Sequence, residues 1–386
     1  MKIQLKRIQF VIILNLLILQ IGCKKDQINL EVDKKLENLG KVITIRNGIY
    51  DVKLEKGYLQ PDNSKLTDNF AYTDLINVQD STLMLVTMSS PKNIEDFSSG
   101  SIIKYTSYNN GKTWKKEGDI SSDFPGSINL SMPSILNYED GHLILVYLVK
   151  YSLQKIDLVM EESFDGGKTW SEARLIHLPN QGYQMINNSR LMKIGNRLVL
   201  PVCVSFKGRI VSFFYFSDDK GQTWNKSGAI GDKNIDFLEP GIVSTGGNEL
   251  LMNIRTNLGG IIFARSFNGG VNWHLEESNF NSPSSPQTIR QIPGTNKLLM
   301  VWNNNNVRVD VHGGNRSPLS LAISDDKGKS WTMVCDIEPF NQFVRDHAYP
   351  VISFDKKFVY IVYNERNNYT SSFSVKIARI DLKNFD

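Results

Sequence analysis

Cysteine, histidine and long apolar runs are all scarce in this chain of 386 residues. Its cysteines are Cys23, Cys203 and Cys335, too few for a disulfide scaffold. Cys203 and Cys335 sit in apolar contexts and read as two separate buried thiols rather than a pair. No His, Cys and carboxylate cluster has metal-ligand spacing, so neither a metal site nor a cofactor is expected, with a structural calcium left open. Helical periodicity of useful length is missing, which excludes a helical solenoid, and no tract is of low complexity. The net charge is only +4 and the lysines are scattered, which argues against a nucleic-acid partner. The longest apolar run, Ile8 to Gly22, is 15 residues, short for a membrane span.

What the chain does contain is one short pattern five times over. It reads Ser107-Tyr-Asn-Asn-Gly-Lys-Thr-Trp114, and returns at Ser163 to Trp170, Ser217 to Trp224, Ser266 to Trp273 and Ser324 to Trp331. The starts lie 56, 54, 49 and 58 residues apart. A repeat of that period is one supersecondary unit that buries its core only against copies of itself. Asp or Asn at the third position caps a turn, Gly at the fifth supplies φ > 0, and the closing Trp is suited to wedge between sheets. Between these boxes run apolar segments of strand type: 82–88, 142–149, 197–204, 250–254, 297–302 and 357–363. Six such runs for five boxes predict a six-bladed β-propeller, all-β, its last blade completed by the segment near Val42 to Leu54. The boxes fix architecture; chemistry is sought elsewhere.

The N-terminus reads as a leader. Lys2, Lys6 and Arg7 precede the apolar run, giving a signal peptide over 1–22. Leu19 to Cys23 resembles a bacterial lipoprotein cleavage box, with Cys23 the lipidated residue. Residues 23–40 then form a polar tether, and 41–386 the propeller. The expectation is an exported monomer, lipid-anchored in the bacterial cell envelope, whose other partner is a glycan.

In a propeller, site residues come from several blades and converge near the axis, so charge within strand-like surroundings is the signal. Glu239 and Arg255 flank a turn on successive strands and are placed to face each other as a carboxylate base and an anion-binding guanidinium, or as a buried structural ion pair. Arg190 and Arg316 enter other strand patterns; an Arg fork suits carboxylate. Tyr349 enters the final strand run.

These residues resemble the bacterial sialidases (neuraminidases) with Asp-box, or BNR, repeats, over roughly Asp62 to Tyr363. The boxes look like Asp boxes. Glu239-Pro-Gly with Arg255 sixteen positions on resembles the sialidase glutamate and second arginine. Arg316 resembles the third arginine, and Tyr349 falls where the nucleophile stands. Segments 129–136, 187–190, 282–293 and 302–303 are similar to a sialidase-like branch of environmental and gut bacteria. The resemblance implies an exo-glycosidase releasing terminal sialic acid or a related acidic sugar. Tyr349 is then nucleophile, Glu239 its base, Arg255 and Arg316 the carboxylate clamp, Arg190 an auxiliary contact and Asp96 the acid/base. One departure stands out: residues 67–75, where the family carries its first arginine, contain none. Two alternatives therefore stay open, a non-catalytic glycan-binding propeller and a hydrolase or lyase for another acidic polysaccharide, in which His347 and Tyr349 would pair for proton transfer.

Overall fold

Each sheet is antiparallel, four with four strands and two with five among the described residues, and the structure, a computed structural model, sets six of them around one axis. It describes residues 42–44, 51–59, 69–91, 98–121, 124–176, 183–276, 278–306, 315–341 and 344–385. The signal peptide, Cys23, the tether and Asp96 lie outside the described residues.

The first strands of the blades contact one another around the axis: Asn69–Gln79, Asn129–Glu139, Gln184–Met185 continued by Met192–Ile194, Leu238–Gly246, Thr288–Gln291 and Arg345–Phe354. The apolar runs seen in the sequence are the second strands: Thr82–Ser90, His142–Lys150, Arg197–Phe206, Glu249–Arg255, Leu298–Asn303 and Phe358–Asn367. Both faces of these strands are covered by adjacent blades, so they carry continuous rather than alternating hydrophobicity. The sixth blade closes as expected. Arg345–Phe354, Phe358–Asn367 and Phe373–Asp381 are joined by Asp51–Leu59 and Val42–Thr44, with Leu54 opposite Ile380. The first and last described strands thus share one sheet, and the ring presents only short edges. Among the described residues the one helix is the 3-10 turn Leu382–Phe385, too short to cross a membrane.

Each box turns the chain after a third strand. In the second box, Ser163 Oγ accepts the Gly167 amide at 2.8 Å. Asp165 accepts the amides of Lys168 and Thr169 at 2.9 Å and the Thr169 hydroxyl at 2.6 Å. The Thr169 bonds hold the Asp165 carboxyl well below the usual carboxylate range. The box glycines press on the preceding blade. Gly270 has φ +88°, and a Cβ there would lie 2.3 Å from the Phe214 ring of blade three. The Trp273 indole of the same box donates to Gly228 O at 3.0 Å and meets the Phe214 ring edge-on. Cys203 and Cys335 are both buried and form no disulfide, as their apolar contexts suggested. Gly270→Ala combines left-handed strain with overpacking, and about 2–4 kcal/mol of stability should be lost. A urea midpoint equal to that of the native protein would show that the box does not staple blade four to blade three.

Candidate active site

Five of the six blades place a non-glycine residue in the left-handed region on or beside the first strand: Tyr72 (φ 52°), Met132 (55°), Ser189 (55°), Glu239 (43°) and Tyr349 (56°). In four blades the pairing register slips at that point, between Ala71 and Asp74, Ser131 and Ser134, Leu238 and Gly241, and Ala348 and Val351. In blade three Ser189 falls in the gap that splits the first strand. A bulge with left-handed backbone bends the strand and re-aims its side chain, at a strain of about 1–2 kcal/mol for a residue with a Cβ. Strain of this kind persists at sites that the surroundings over-determine. Two of the five residues are Glu239 and Tyr349, both singled out from the sequence. All five lie near the starting ends of the axial strands, on the face opposite the boxes.

Four of the residues expected to act together are brought together. Arg255 ends the second strand of blade four opposite Leu238, and its Nη1 bonds Glu239 Oε2 at 2.8 Å, with side chains 10% and 13% exposed. Arg255 Nε also donates to Ser284 Oγ at 3.1 Å. Arg316 Nη2 donates to Ser284 O at 3.4 Å, so one serine of blade five touches both arginines. The Arg316 guanidinium lies 5.4 Å from the centre of the Tyr349 ring, a cation–π distance. Its Nη1 is buried with no partner among the described residues. Two main-chain bonds dock Arg316 on the strand of Tyr349: its amide to Asp346 Oδ1 at 2.9 Å, and its carbonyl from the His347 amide at 2.8 Å. No hydrogen bond joins the Tyr349 hydroxyl to Glu239 among the described residues; in this state Arg255 holds the carboxylate.

Arg190 lies deeper. It is 1% exposed, and its Nη atoms donate to Thr288 Oγ1 at 3.1 Å, Gln287 O at 3.0 Å and Asn188 O at 3.4 Å. It ties blades three and five at the axis, and only Nε has no partner among the described residues. Burial, with Arg290 beside it, pushes its guanidinium down to about 9, against the fields of Glu239 and Asp74. Asp74 of blade one accepts the amides of Ile135 and Leu75, both at 2.8 Å. Burial nevertheless pushes its carboxyl up to about 6, against those bonds, Ser189 and Arg290. A carboxyl raised from 3.8 to about 6 keeps its proton longer in the folded state. Its stabilisation is present below about pH 4 and is lost, by about 3 kcal/mol, as pH rises through 6. Asp74→Asn is expected to abolish that part of the slope. The same fall between pH 4 and 6 in urea titrations of the variant would refute the assignment.

Tyr72, Ser284, Asn188 and Asp74 were not singled out from the sequence. A signal for the bulges did exist: Met132, Glu239 and Tyr349 each precede a proline, which a strand tolerates only at edges and bulges. Another cluster no spacing reveals lies behind Arg316. Glu338, His347 and Glu365 put ligand-type atoms within 4.8 Å of one another. The Lys376 ammonium already sits there, 2.5 Å from Glu338 and 3.0 Å from Glu365, and supplies the positive charge that a cation would.

Comparison with known proteins bears on the fold. Among solved structures, a protein of unknown function from Dyadobacter fermentans is similar over 85% of this chain and 98% of its own, with TM-score 0.69 and 16% identity. Trypanosoma rangeli sialidase has TM-score 0.69 at 14% identity, covering 84% of this chain and 59% of its own. NanB sialidase of Streptococcus pneumoniae has TM-score 0.65 at 15% identity, covering 84% and 70%. The chain thus spans about three fifths of the trypanosomal enzyme, and the shared feature is the fold. No curated protein matches. The BNR repeat-like domain family matches residues 127–361, well over half of the chain. With its boxes and its six blades, the chain belongs to the BNR repeat-like domain family, and its fold is that of the sialidase propellers.

Proposed function

We propose that the protein is an exported glycosidase that removes sialic acid or a related acidic sugar from glycan ends. The observation that carries this reading is that Ser284 joins Arg255, paired with Glu239, to Arg316, which lies over the Tyr349 ring. An acidic sugar bearing its carboxylate on the anomeric carbon would repel a carboxylate nucleophile, whereas a neutral phenol is not repelled. Arg316 has an unused donor and Arg255 a fork already set for a carboxylate. When the substrate carboxylate takes that fork, Glu239 is released to accept the phenolic proton. The Tyr349 oxygen then bonds the anomeric carbon as the glycosidic bond breaks, with the leaving oxygen protonated by an acid. Water later cleaves the glycosyl-tyrosine bond. Asp96 is proposed as that acid, Arg190 as a contact beneath the sugar, and Cys23 as the lipid anchor of a monomer at the envelope.

A second reading, a glycan-binding propeller without catalysis, is favoured by one observation: the phenol and the acid share no hydrogen bond. His347 bonds Glu365 at 3.0 Å and not the Tyr349 hydroxyl, which lends the lyase reading no support. Incubation with sialyl-lactose and with a uronic-acid oligosaccharide separates the cases. Released monosaccharide acid is expected. Saturable binding without release from either would establish the binding module instead.

A further inference from the structure

We propose that Tyr72 contacts the substrate and, with Met132, sets which acidic sugar fits; the ligand directs its anion to Arg255 and Arg316 and its C–H face to the Tyr72 ring. The inference rests on the acidic-glycan reading above and adds the shape of the sugar to it.

Tyr72 occupies in blade one the bulge position that Glu239 holds in blade four and Tyr349 in blade six. Its ring meets that of Tyr349 edge-on at 4.8 Å, and the two are equally accessible, at 6% and 8%. The pair is held from behind by amides. Asn364 Oδ1 accepts the Tyr72 amide at 3.0 Å, and Asn188 Nδ2 donates to Thr73 O at 2.6 Å and Tyr349 O at 3.5 Å. A bulky side chain in left-handed backbone is unfavourable by itself, so fixing Tyr72 there from two other blades builds a defined aromatic surface. Met132, at the same position of blade two, belongs with Tyr72 and Tyr349 to one apolar cluster.

The collar is therefore split by chemistry. Blades one and two contribute an aromatic ring and a thioether; blades four to six contribute the acid, two guanidiniums and the phenol. A uniformly charged ligand cannot satisfy both halves. A sugar acid can, because one edge carries the carboxylate and one ring face carries C–H groups that an aromatic side chain covers well. Met132 adapts to irregular substituents, so bulk attached on that side is tolerated or refused by Tyr72 and Met132 rather than by the arginines.

The test uses the full chain with N-acetylneuraminic acid, glucuronic acid and glucose as probes in titration calorimetry. The wild type should bind a sugar acid and not glucose, and Tyr72→Phe should bind it within threefold. Tyr72→Leu is expected to weaken it at least tenfold, and Tyr72→Trp to shift the ratio between the two acids at least fivefold. Thermal midpoints of each variant identify any that fails to fold, and the folded variant decides. If the wild type binds and Arg316→Ala loses the ligand, yet every folded Tyr72 variant keeps affinity and ratio within twofold, Tyr72 is core alone and this inference fails. Binding of neither sugar acid by the wild type overturns the acidic-glycan reading, and this one with it.

Discussion

Tyr349→Phe is expected to lower kcat/KM toward the acidic glycoside by at least about a thousandfold, roughly 4 kcal/mol of transition-state stabilisation. The reason is local. Phenylalanine keeps the ring that packs against Tyr72 and under the Arg316 guanidinium, so the collar stays in place while the oxygen proposed to bond the sugar is lost. The thermal midpoint should move by no more than a few degrees, and the affinity for the free sugar acid should stay within threefold. Glu239→Gln makes the complementary change: it keeps the shape but removes both the proton acceptor and the charge that Arg255 pairs with. Its rate should fall by a similar factor, with some loss of stability as well, because the largely buried Arg255 loses its counter-charge. A Tyr349→Phe enzyme that turns over at more than a tenth of the wild-type rate would remove the tyrosine from the chemistry.

Lys376→Met should destabilise the fold by about 3–5 kcal/mol. Glu338 of blade five and Lys376, Glu365 and His347 of blade six are buried together, and the ammonium touches both carboxylates. Glu338 also takes the Tyr363 hydroxyl at 2.5 Å, and Glu365 takes Arg345 at 2.9 Å and His347 at 3.0 Å. Burial alone would raise the Glu365 carboxyl; His347 and Lys376 outweigh it and hold it at about 2. A carboxyl held below its ordinary 4.5 contributes stability above that value, and loses it as pH falls toward 2. Removing the lysine withdraws much of that support. The destabilisation should therefore be large at pH 7 and shrink in acid, the opposite pH trend from Asp74. Adding Glu338→Gln to the lysine variant should recover part of the loss, as a double-mutant cycle would show. A single variant within 1 kcal/mol of wild type in urea titrations would mean that the cluster is not a closed charge network. Because Asp346 and His347 dock the Arg316 main chain, the same variant should also weaken sugar-acid binding.

Much of the architecture is written in short-range chemistry. Ser163, Asp165, Gly167 and Thr169 make their turn from groups within six residues of one another, so each box, and with it the repeat and blade count, can be read from the chain alone. The six apolar runs are equally direct, since burial on both faces leaves no other composition for a central strand. Even the closing of blade six by Asp51–Leu59 follows from the need to cover an edge. Glu239 and Arg255 were visible because one hairpin carries both.

The rest depends on side chains from blades far apart in sequence. Ser284 bridges Arg255 and Arg316, Asn188 ties Thr73 to Tyr349, and Lys376 fills the space among Glu338, His347 and Glu365. No residue type or spacing announces those meetings, because they arise only when the first strands are wound around a common axis and each bulge turns its residue toward it. Turns and strand composition are local free-energy minima that the sequence sets by itself; which charges share a cavity, and that the Tyr72 ring meets Tyr349 edge-on, was decided by closure of the ring.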